Sequence, residues 1–264
     1  MRDLSGIVKA YDVRGVVGEQ LDAEVVRDIG AAFAGLVLGP TRNGDGTILV
    51  GHDMRDSSPW LSDAFAKGVT SQGVDVLSIG LASTDMLYFA SGHLNLPGAM
   101  FTASHNPARY NGIKLCRAGA APVGADSGLA VIRTCVEQGV RPYHGEPGRA
   151  SERNMLGDYA RYLRRLVDLS GSRPLRVVVD AGNGMGGYTV PEVFDGLPIE
   201  ITPMYFELDG NFPNHEANPL DAKNIVDLQA KVMATGADAG LAFDGDADRC
   251  FLVDERGEPV SPST

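Results

Sequence analysis

The sequence predicts an α/β protein whose sheets are mainly parallel. Four short apolar runs each end in a polar or glycine-containing loop, which is typical of strands buried on both faces. Segments with helical periodicity lie between these runs. Because strands and helices alternate along the chain, most strands should be joined by helical crossovers and pair in parallel.

The predicted strands occupy the apolar runs at residues 47–53 (TILVGHD), 98–107 (GAMFTASHNP), 176–184 (RVVVDAGNG) and 239–249 (AGLAFDGDADR). Two helices are predicted from apolar residues spaced by three or four, and another from Ser58 and Pro59 at its first turn. The two apolar faces contain Val25, Ile29, Phe33 and Leu36, and Tyr159, Leu163, Leu166 and Val167.

The length predicts two domains, since the chain has 264 residues and a domain has roughly 150. The stretch at 140–151 (VRPYHGEPGRAS) contains two prolines and two glycines, and it interrupts the apolar periodicity. We therefore expect a first domain at 1–150 and a second at 151–254. The remaining residues, 255–264, are too few to form a further element.

Composition and charge exclude several classes of protein. The chain is 44% hydrophobic, and 23 basic against 34 acidic residues give a net charge of -11. This balance argues against nucleic acid as a partner, because such a partner requires positive charge to neutralise its phosphates. No 18 apolar residues run together and charged residues interrupt the N-terminal segment, so neither a membrane span nor a secretory leader is predicted. We expect a cytoplasmic protein.

The three cysteines are widely spaced and form no C-x-x-C pair. A disulfide framework and a thiolate zinc site are therefore both disfavoured. We expect Cys116, Cys135 and Cys250 to be reduced and buried.

The strongest chemical motif is DGDADR, at residues 244–249. Alternation in an extended segment would turn Asp244, Asp246 and Asp248 to one side, where their charges repel unless a cation joins them. Oxygen ligands favour Mg²⁺ or Ca²⁺, and Arg249 offers a fork for a phosphate. The structural alternative is a solvated acidic turn.

Two other readings of this motif meet difficulties. An EF-hand would need glycine where Arg249 stands, and its flanks should be helices rather than strands. A D-x-D phosphotransferase of the haloacid-dehalogenase type usually has Thr or Val at the position of Asp248, and its later motifs would have to fit in the sixteen residues that remain.

A second motif, TASHNP at residues 102–107, is followed by NGIK at 111–114. Ser104 could be a nucleophile or a phosphate carrier, with Lys114 stabilising the charge, although an isolated Ser-His pair is more often structural. The segment DAGNGMGG at 180–187 contains G-x-G-x-x-G, but tight-turn glycines explain it better than a dinucleotide site. His52, His93, His144 and His215 show no metal-ligand spacing.

Together these motifs resemble the α-D-phosphohexomutases, specifically the bacterial phosphomannomutase/phosphoglucomutase branch. The resemblance covers essentially the whole chain and rests on KAYDVRG (9–15), TASHNP (102–107), NGIK (111–114), DAGNGMGG (180–187), GNFPNHEANP (210–219) and DGDADR (244–249). It implies two consecutive α/β/α domains with mixed, mainly parallel sheets and active-site loops at a shared cleft. Residues 255–264 would begin a third domain, so the chain resembles only the N-terminal half of the family.

The resemblance also implies roles for individual residues. Ser104 would carry the phosphoryl group, and Mg²⁺ would be held by Ser104, Asp244, Asp246 and Asp248. Arg14 and His105 would contact the same phosphate, Lys114 would assist proton transfer, and Asn106 and Arg249 would bind phosphate or sugar. The substrate would be a mannose or glucose phosphate, with a hexose 1,6-bisphosphate as intermediate and activator.

Three hypotheses follow from these observations. The first is a phosphohexomutase whose activity in this shorter chain is reduced, because the remote contacts of the third and fourth domains position the sugar. The second is a non-catalytic Mg²⁺-binding fragment that associates with a partner half through uncovered faces. The third is a D-x-D phosphatase.

Overall fold

The computed structural model describes residues 3–38, 46–169 and 171–261. By its contacts the chain divides into two compact units. The first unit contains the residues up to Ala103 together with Arg109–Met155, and the second contains Ser104–Ala108 together with the residues from Leu156 onward. Both units are α/β, with mixed sheets that are mainly parallel, as the sequence predicts.

The division differs from the sequence-based boundary in two respects. Residue 150 begins a strand of the first sheet, and the chain leaves the first unit only after Met155. The exposed stretch before it stays with this unit, since Gly148 donates its N–H to the carbonyl of Thr70 at 2.8 Å. Ser104–Ala108, expected in the first domain, group with the second unit because Ser104 and His105 contact residues there.

The first unit has a seven-stranded sheet. Its strands are β1 (Val13–Val16), β2 (Thr47–His52), β3 (Asp75–Leu81), β4 (Gly98–Phe101), β5 (Tyr110–Arg117), β6 (Ala121–Pro122) and β7 (Ala150–Glu152). They lie in the order β1-β5-β4-β2-β3-β7, with β6 on β5. Strands β2, β3, β4 and β7 pair in parallel, whereas β5 is antiparallel to its neighbours. The helices are α1 (Ala23–Leu38), α2 (Ser58–Thr70), α3 (Thr84–Leu94) and α4 (Ala130–Gln138).

Apolar side chains on both faces of this sheet are buried. Ile48 and Val50 of β2 join the core that contains Phe33 of α1 and Phe65 of α2. Leu49, between them, points to the opposite face, where Leu87 of α3 lies near Gly98. The predicted face of α1 is confirmed, since its first three apolar residues are buried and Leu36 packs against the core.

The second unit has a four-stranded sheet in the order β11-β10-β8-β9, in which β8 is parallel to both neighbours and β11 is antiparallel to β10. Its strands are β8 (Leu175–Asp180), β9 (Ile199–Met204), β10 (Ala239–Phe243) and β11 (Cys250–Val253). Its helices are α5 (Leu156–Leu166), α6 (Gly186–Phe194) and α7 (Val226–Thr235).

Alternate residues of β8 show the layers of this unit. Val178 is buried with Leu228 and Val232 of α7. Val177 and Val179 are buried with Val190 of α6 on the other face. A period of two therefore places one helix layer on each side of the sheet.

The apolar face that the sequence predicts for α5 is wrong in part. Tyr159 is buried, but Leu166 is 60% exposed and Val167, beyond the end of α5, is 59% exposed. Tyr159 and Ala160 are the buried residues of this helix, and Arg164 adds a hydrogen bond to the carbonyl of Glu192 at 2.6 Å.

The segment after β11 returns to the sheet. Asp254 donates its N–H to the carbonyl of Glu258, Val260 donates to Leu252, and Val253 forms an antiparallel bridge with Pro259. Residues 258–260 are therefore paired with the second unit, although the sequence predicts no element there. Residues 262–264 lie outside the described residues.

The cysteines form no disulfide, but their predicted burial is only partly right. Cys116 is buried, Cys135 is half-buried and Cys250 is exposed. Cys250 begins β11, an edge strand that is covered on one side only. Across the three described ranges, no helix combines the length and the apolar character that a membrane crossing requires.

A buried ion pair lies at the carboxyl end of β2. Asp53 and Arg55 are 0% and 1% exposed, and Nε of Arg55 lies 3.2 Å from Oδ2 of Asp53. Arg55 also donates to the carbonyl of Tyr110, and Asp53 accepts hydrogen bonds from Ser58 and Thr102. Burial raises the pKa of Asp53 although Arg55 opposes this shift. The pair thus connects the first residue of the TASHNP segment with Tyr110, which follows the segment.

Replacing Arg55 by Met should lower the free energy of unfolding of the first unit by about 3–5 kcal/mol, because it leaves a buried carboxylate without its cation. Trp60, the single tryptophan, lies in α2 and reports this unfolding by fluorescence in urea. The double variant Asp53→Leu with Arg55→Met should be less destabilised than Arg55→Met alone. Arg27→Met, which breaks an exposed pair with Asp28, should cost under about 1 kcal/mol. Equal losses in Arg55→Met and Arg27→Met would contradict the prediction.

Candidate functional site

The DGDADR motif forms the loop of the hairpin between β10 and β11. Asp244 donates its N–H to the carbonyl of Arg249 at 3.3 Å, and its own carbonyl accepts from Ala247 at 3.1 Å. Ala247 has a φ of +57°, a left-handed conformation that reverses the chain. The aspartates therefore converge through a tight turn, and the predicted alternation of an extended segment is wrong for this loop.

The three carboxylates of this acidic loop meet as the sequence predicts. Asp244, Asp246 and Asp248 each offer an oxygen, and these oxygens lie within 4.8 Å of one another. Asp244 and Asp246 are fully buried, whereas the side chain of Asp248 is 25% exposed. The flanking elements are strands, which agrees with the exclusion of an EF-hand.

Ser104 faces this acidic loop within the second unit. Its Oγ donates to Oδ2 of Asp244 at 2.8 Å and accepts from Nη2 of Arg249 at 2.8 Å. Ser104 has a φ of +53°, which is uncommon for a residue other than glycine. Such backbone strain is concentrated at functional sites, where the surrounding structure holds it.

Arg249 connects the serine, the histidine and the acidic loop. Its Nε donates to Oδ2 of Asp244 at 2.9 Å, and its Nη2 also contacts that oxygen. The same Nη2 lies 2.5 Å from Nδ1 of His105, which is 3.4 Å from Oγ of Ser104.

The charges of the acidic loop change one another's titration. Burial, together with the charges of Asp246 and Asp248, raises the pKa of Asp244 to about 7. Burial opposes the charge of Arg249, but Asp244 and its neighbours raise the pKa of this guanidinium. Three carboxylates face one guanidinium, so the site has more negative than positive charge when all groups are ionised.

Three predicted residues remain, and two of them lie on strands of the first unit. Arg14 is on β1, where its Nη2 pairs with Asp12, and Lys114 is on β5, where its Nζ lies 3.5 Å from the hydroxyl of Thr84. Both belong to the first unit. Asn106 is half-buried in the TASHNP loop. The structure thus brings together Ser104, His105, Asp244, Asp246, Asp248 and Arg249.

Sequence reasoning missed two polar pairs. Asp53 and Arg55 lie after β2, and the apolar run followed by D-x-R was a detectable signal. Asp180 and His215 are the other pair, with Oδ2 of Asp180 3.0 Å from Nε2 of His215. His215 is far from Asp180 in sequence, so spacing could not reveal this contact. Burial opposes protonation of His215, but Asp180 outweighs it and raises the pKa of the imidazole.

Comparisons with known proteins agree with these motifs. Family models described as phosphoglucomutase/phosphomannomutase α/β/α domain I and domain II match residues 5–140 and 157–257. The chain is 41% identical over 258 residues to a phosphomannomutase of Escherichia coli K12, which covers 95% of this chain and 55% of the relative. It is 41% identical to a Xanthomonas campestris protein named phosphohexose mutases, over 94% of this chain and 54% of the relative.

A solved structure is also similar. A phosphoglucomutase/phosphomannomutase family protein from Burkholderia thailandensis superimposes with a TM-score of 0.88 at 35% identity, covering 97% of this chain and 56% of that one. The chain therefore spans about half the length of the relatives it matches.

The pKa of Asp244 predicts how stability depends on pH. This pKa is about 7 in the folded chain and about 3.8 in the unfolded chain, so the folded state favours the protonated carboxyl. Its contribution to stability is fully present below pH 4 and is lost as the pH rises through 7. With a chelator present, Asp244→Asn should raise the melting temperature by a few degrees at pH 8 and by little at pH 4. For a chain of this size, a change of 1 kcal/mol in the free energy of unfolding shifts the melting temperature by about 2–4 °C.

Calorimetry or circular dichroism at both pH values provides the measurement. Glu200→Gln, which removes an exposed carboxylate of β9, is the matched control and should show no such dependence. A melting temperature of Asp244→Asn at or below that of the parent chain at pH 8 would show that the ionised carboxylate does not destabilise the folded chain.

Proposed function

Because the chain belongs to the phosphoglucomutase/phosphomannomutase family, we propose that it carries the phosphoserine and metal-binding half of a phosphohexomutase. This enzyme would interconvert the 1- and 6-phosphates of mannose or glucose. The supporting observation is the placement of Ser104 Oγ, 2.8 Å from both Asp244 and Arg249 at the acidic loop.

The donor set of the acidic loop fits Mg²⁺. Three carboxylates and the Ser104 hydroxyl are oxygen ligands, which this cation prefers over nitrogen or sulfur. Beside one guanidinium, three carboxylates leave two negative charges, which match a divalent cation. When bound, Mg²⁺ would supply neutralisation of the charge on the transferring phosphoryl group.

The chain's own residues would manage the leaving oxygen and its proton. In the transfer, the bond between phosphorus and Ser104 Oγ breaks while a bond to a sugar hydroxyl forms. Arg249 donates to Oγ and would stabilise the negative charge that develops there. The sugar hydroxyl releases its proton, a transfer that Lys114 would assist, and Oγ regains a proton when the serine is free. His105, Asn106 and Arg14 would bind phosphate.

The second transfer would return the other phosphate of a hexose 1,6-bisphosphate to Ser104, so no phosphate is consumed. The relatives are nearly twice as long, and remote contacts in their unmatched halves would position the sugar. We therefore propose that these 264 residues accept phosphate more readily than they complete turnover. The free thiols of the three cysteines suit a reducing compartment, and we propose the cytoplasm.

Ser104→Ala should abolish phosphate incorporation. The chain is incubated with Mg²⁺ and glucose or mannose 1,6-bisphosphate, and intact mass spectrometry measures the addition of one acid-stable phosphoryl group. Ser151→Ala, which changes an exposed serine of β7, should incorporate as much as the parent chain.

Three results would contradict this proposal. Phosphate that persists in Ser104→Ala would exclude Ser104 as the carrier. Release of inorganic phosphate that depends on Asp244 and not on Ser104 would favour the D-x-D phosphatase. Metal binding without any phosphate uptake would favour the non-catalytic fragment, and light scattering with the unmatched half of a relative would then test association.

Divalent-metal affinity should weaken as the pH falls below about 7, because the proton on Asp244 competes with the cation. Electron paramagnetic resonance of Mn²⁺ measures the free ion at pH 8, 7 and 6, and the loss should approach about tenfold per unit. Asp246→Asn should bind weakly at every pH, whereas Asp195→Asn, an exposed change in the same unit, should follow the parent chain. An affinity independent of pH would contradict the role of Asp244.

A further inference from the structure

The glycine-rich segment at residues 180–187 touches the backbone of the acidic loop. Met185 donates its N–H to the carbonyl of Gly245 at 2.9 Å. A Cβ on Gly184 would lie 2.6 Å from that carbonyl oxygen and 2.9 Å from Cα of Gly245. Both distances are too short for real contacts, so this approach is possible only because residue 184 has no side chain.

Gly245 is confined on its other side by the serine loop. A Cβ on Gly245 would lie 2.4 Å from the carbonyl oxygen of Ser104. Three backbone segments of the second unit are therefore in direct contact, in the order Gly184, Gly245 and Ser104. Gly245 stands between Asp244 and Asp246, so its position sets where both carboxylates begin.

The glycine-rich segment is itself firmly held. Oδ1 of Asp180 accepts from the N–H of Gly182 at 2.8 Å, and its Oδ2 meets His215. Asn183 donates its N–H to the carbonyl of Tyr205 at 2.8 Å and its Nδ2 to the carbonyl of Glu207 at 2.9 Å. Asp180 and Asn183 are both buried. The segment thus provides a fixed surface under the acidic loop.

We infer that Gly184 is a positioning residue for the acidic loop, which it holds at the spacing needed to bind a divalent cation beside Ser104. Asp180, through its hydrogen bonds with Gly182 and His215, holds the glycine-rich segment in place. This inference rests on the proposed function insofar as Asp244, Asp246 and Asp248 are the metal ligands. It gives the DAGNGMGG motif a role that turn formation alone does not include.

A second close contact of the same segment allows an effect on the position of the acidic loop to be distinguished from a general loss of packing. A Cβ on Gly187 would lie 2.2 Å from the carbonyl oxygen of Phe206, and no atom of the acidic loop is among its nearest neighbours. Gly187→Ala therefore strains the segment against the connection after β9. Gly184→Ala strains it against Gly245. The two variants should differ in metal binding even where they lose similar stability.

The test measures Mn²⁺ affinity by electron paramagnetic resonance at pH 8, well below the melting temperature of each variant. Gly184→Ala should bind Mn²⁺ about tenfold more weakly than the parent chain or worse, as expected when the support of metal ligands is disturbed. Gly187→Ala should keep nearly the parent affinity despite a lower melting temperature. Gly157→Ala, whose Cβ would meet only the flexible end of Arg161 at 3.5 Å, should leave the Mn²⁺ affinity unchanged.

Asp180→Asn adds no volume and serves if Gly184→Ala does not fold. It should weaken Mn²⁺ binding in the same direction by a smaller factor, since it loosens the contact with His215. Parent-like affinity in both Gly184→Ala and Asp180→Asn would overturn the inference, as would equal losses in Gly184→Ala and Gly187→Ala. If the parent chain binds no Mn²⁺, the metal site of the proposed function and this inference both fall. If the parent chain binds Mn²⁺ and the variants bind it equally well, only this inference falls.

Discussion

The main constraint on the second unit is the repulsion among three carboxylates at the carboxyl end of β10, which the rest of the unit must oppose. Two of them are buried, where water screens charge poorly. The chain offsets this repulsion with one guanidinium, that of Arg249, and with a proton that Asp244 retains up to about pH 7. The left-handed residues, the hairpin turn and the close backbone contacts around Gly245 all keep these charges together. These contacts keep three carboxylates close together despite their mutual repulsion.

In each unit, buried polar groups lie at the carboxyl ends of the parallel strands. Asp53 follows β2, Thr102 follows β4, Asp180 ends β8 and Asp244 follows β10. The carboxyl ends of parallel strands are where α/β proteins bind ligands. In the first unit, the buried pair of Asp53 and Arg55 joins the two ends of the serine-bearing segment. Rigid sheets therefore carry loops that are polar, strained and held by buried hydrogen bonds.

The sequence was sufficient for the fold class and for the residues that meet at the acidic loop. Apolar runs and helical spacing predict β2, β8, β10 and α1, because burial on a sheet or helix face has a fixed period. The three aspartates were predicted from local spacing, although their convergence depends on the positive φ of Ala247 rather than on strand alternation. That angle is not encoded by any pattern in the motif.

Long-range contacts explain what the sequence could not give. The pairing of His215 with Asp180 depends on how the segment after β9 returns to β8. The exposure of Leu166 depends on which side of α5 meets α6. The grouping of Ser104–Ala108 with the second unit depends on contacts across most of the chain. The glycine contacts are likewise invisible in sequence, since a glycine for a turn and a glycine for close approach look the same.

The return of the chain after β11 has a consequence for self-association. An edge strand presents unpaired backbone groups to which another molecule can add a strand. Here Pro259 and Val260 lie along that edge, and proline has no N–H with which to extend a ladder. That position therefore offers no backbone donor to an added strand, so this margin of the described sheet is less suited to strand addition.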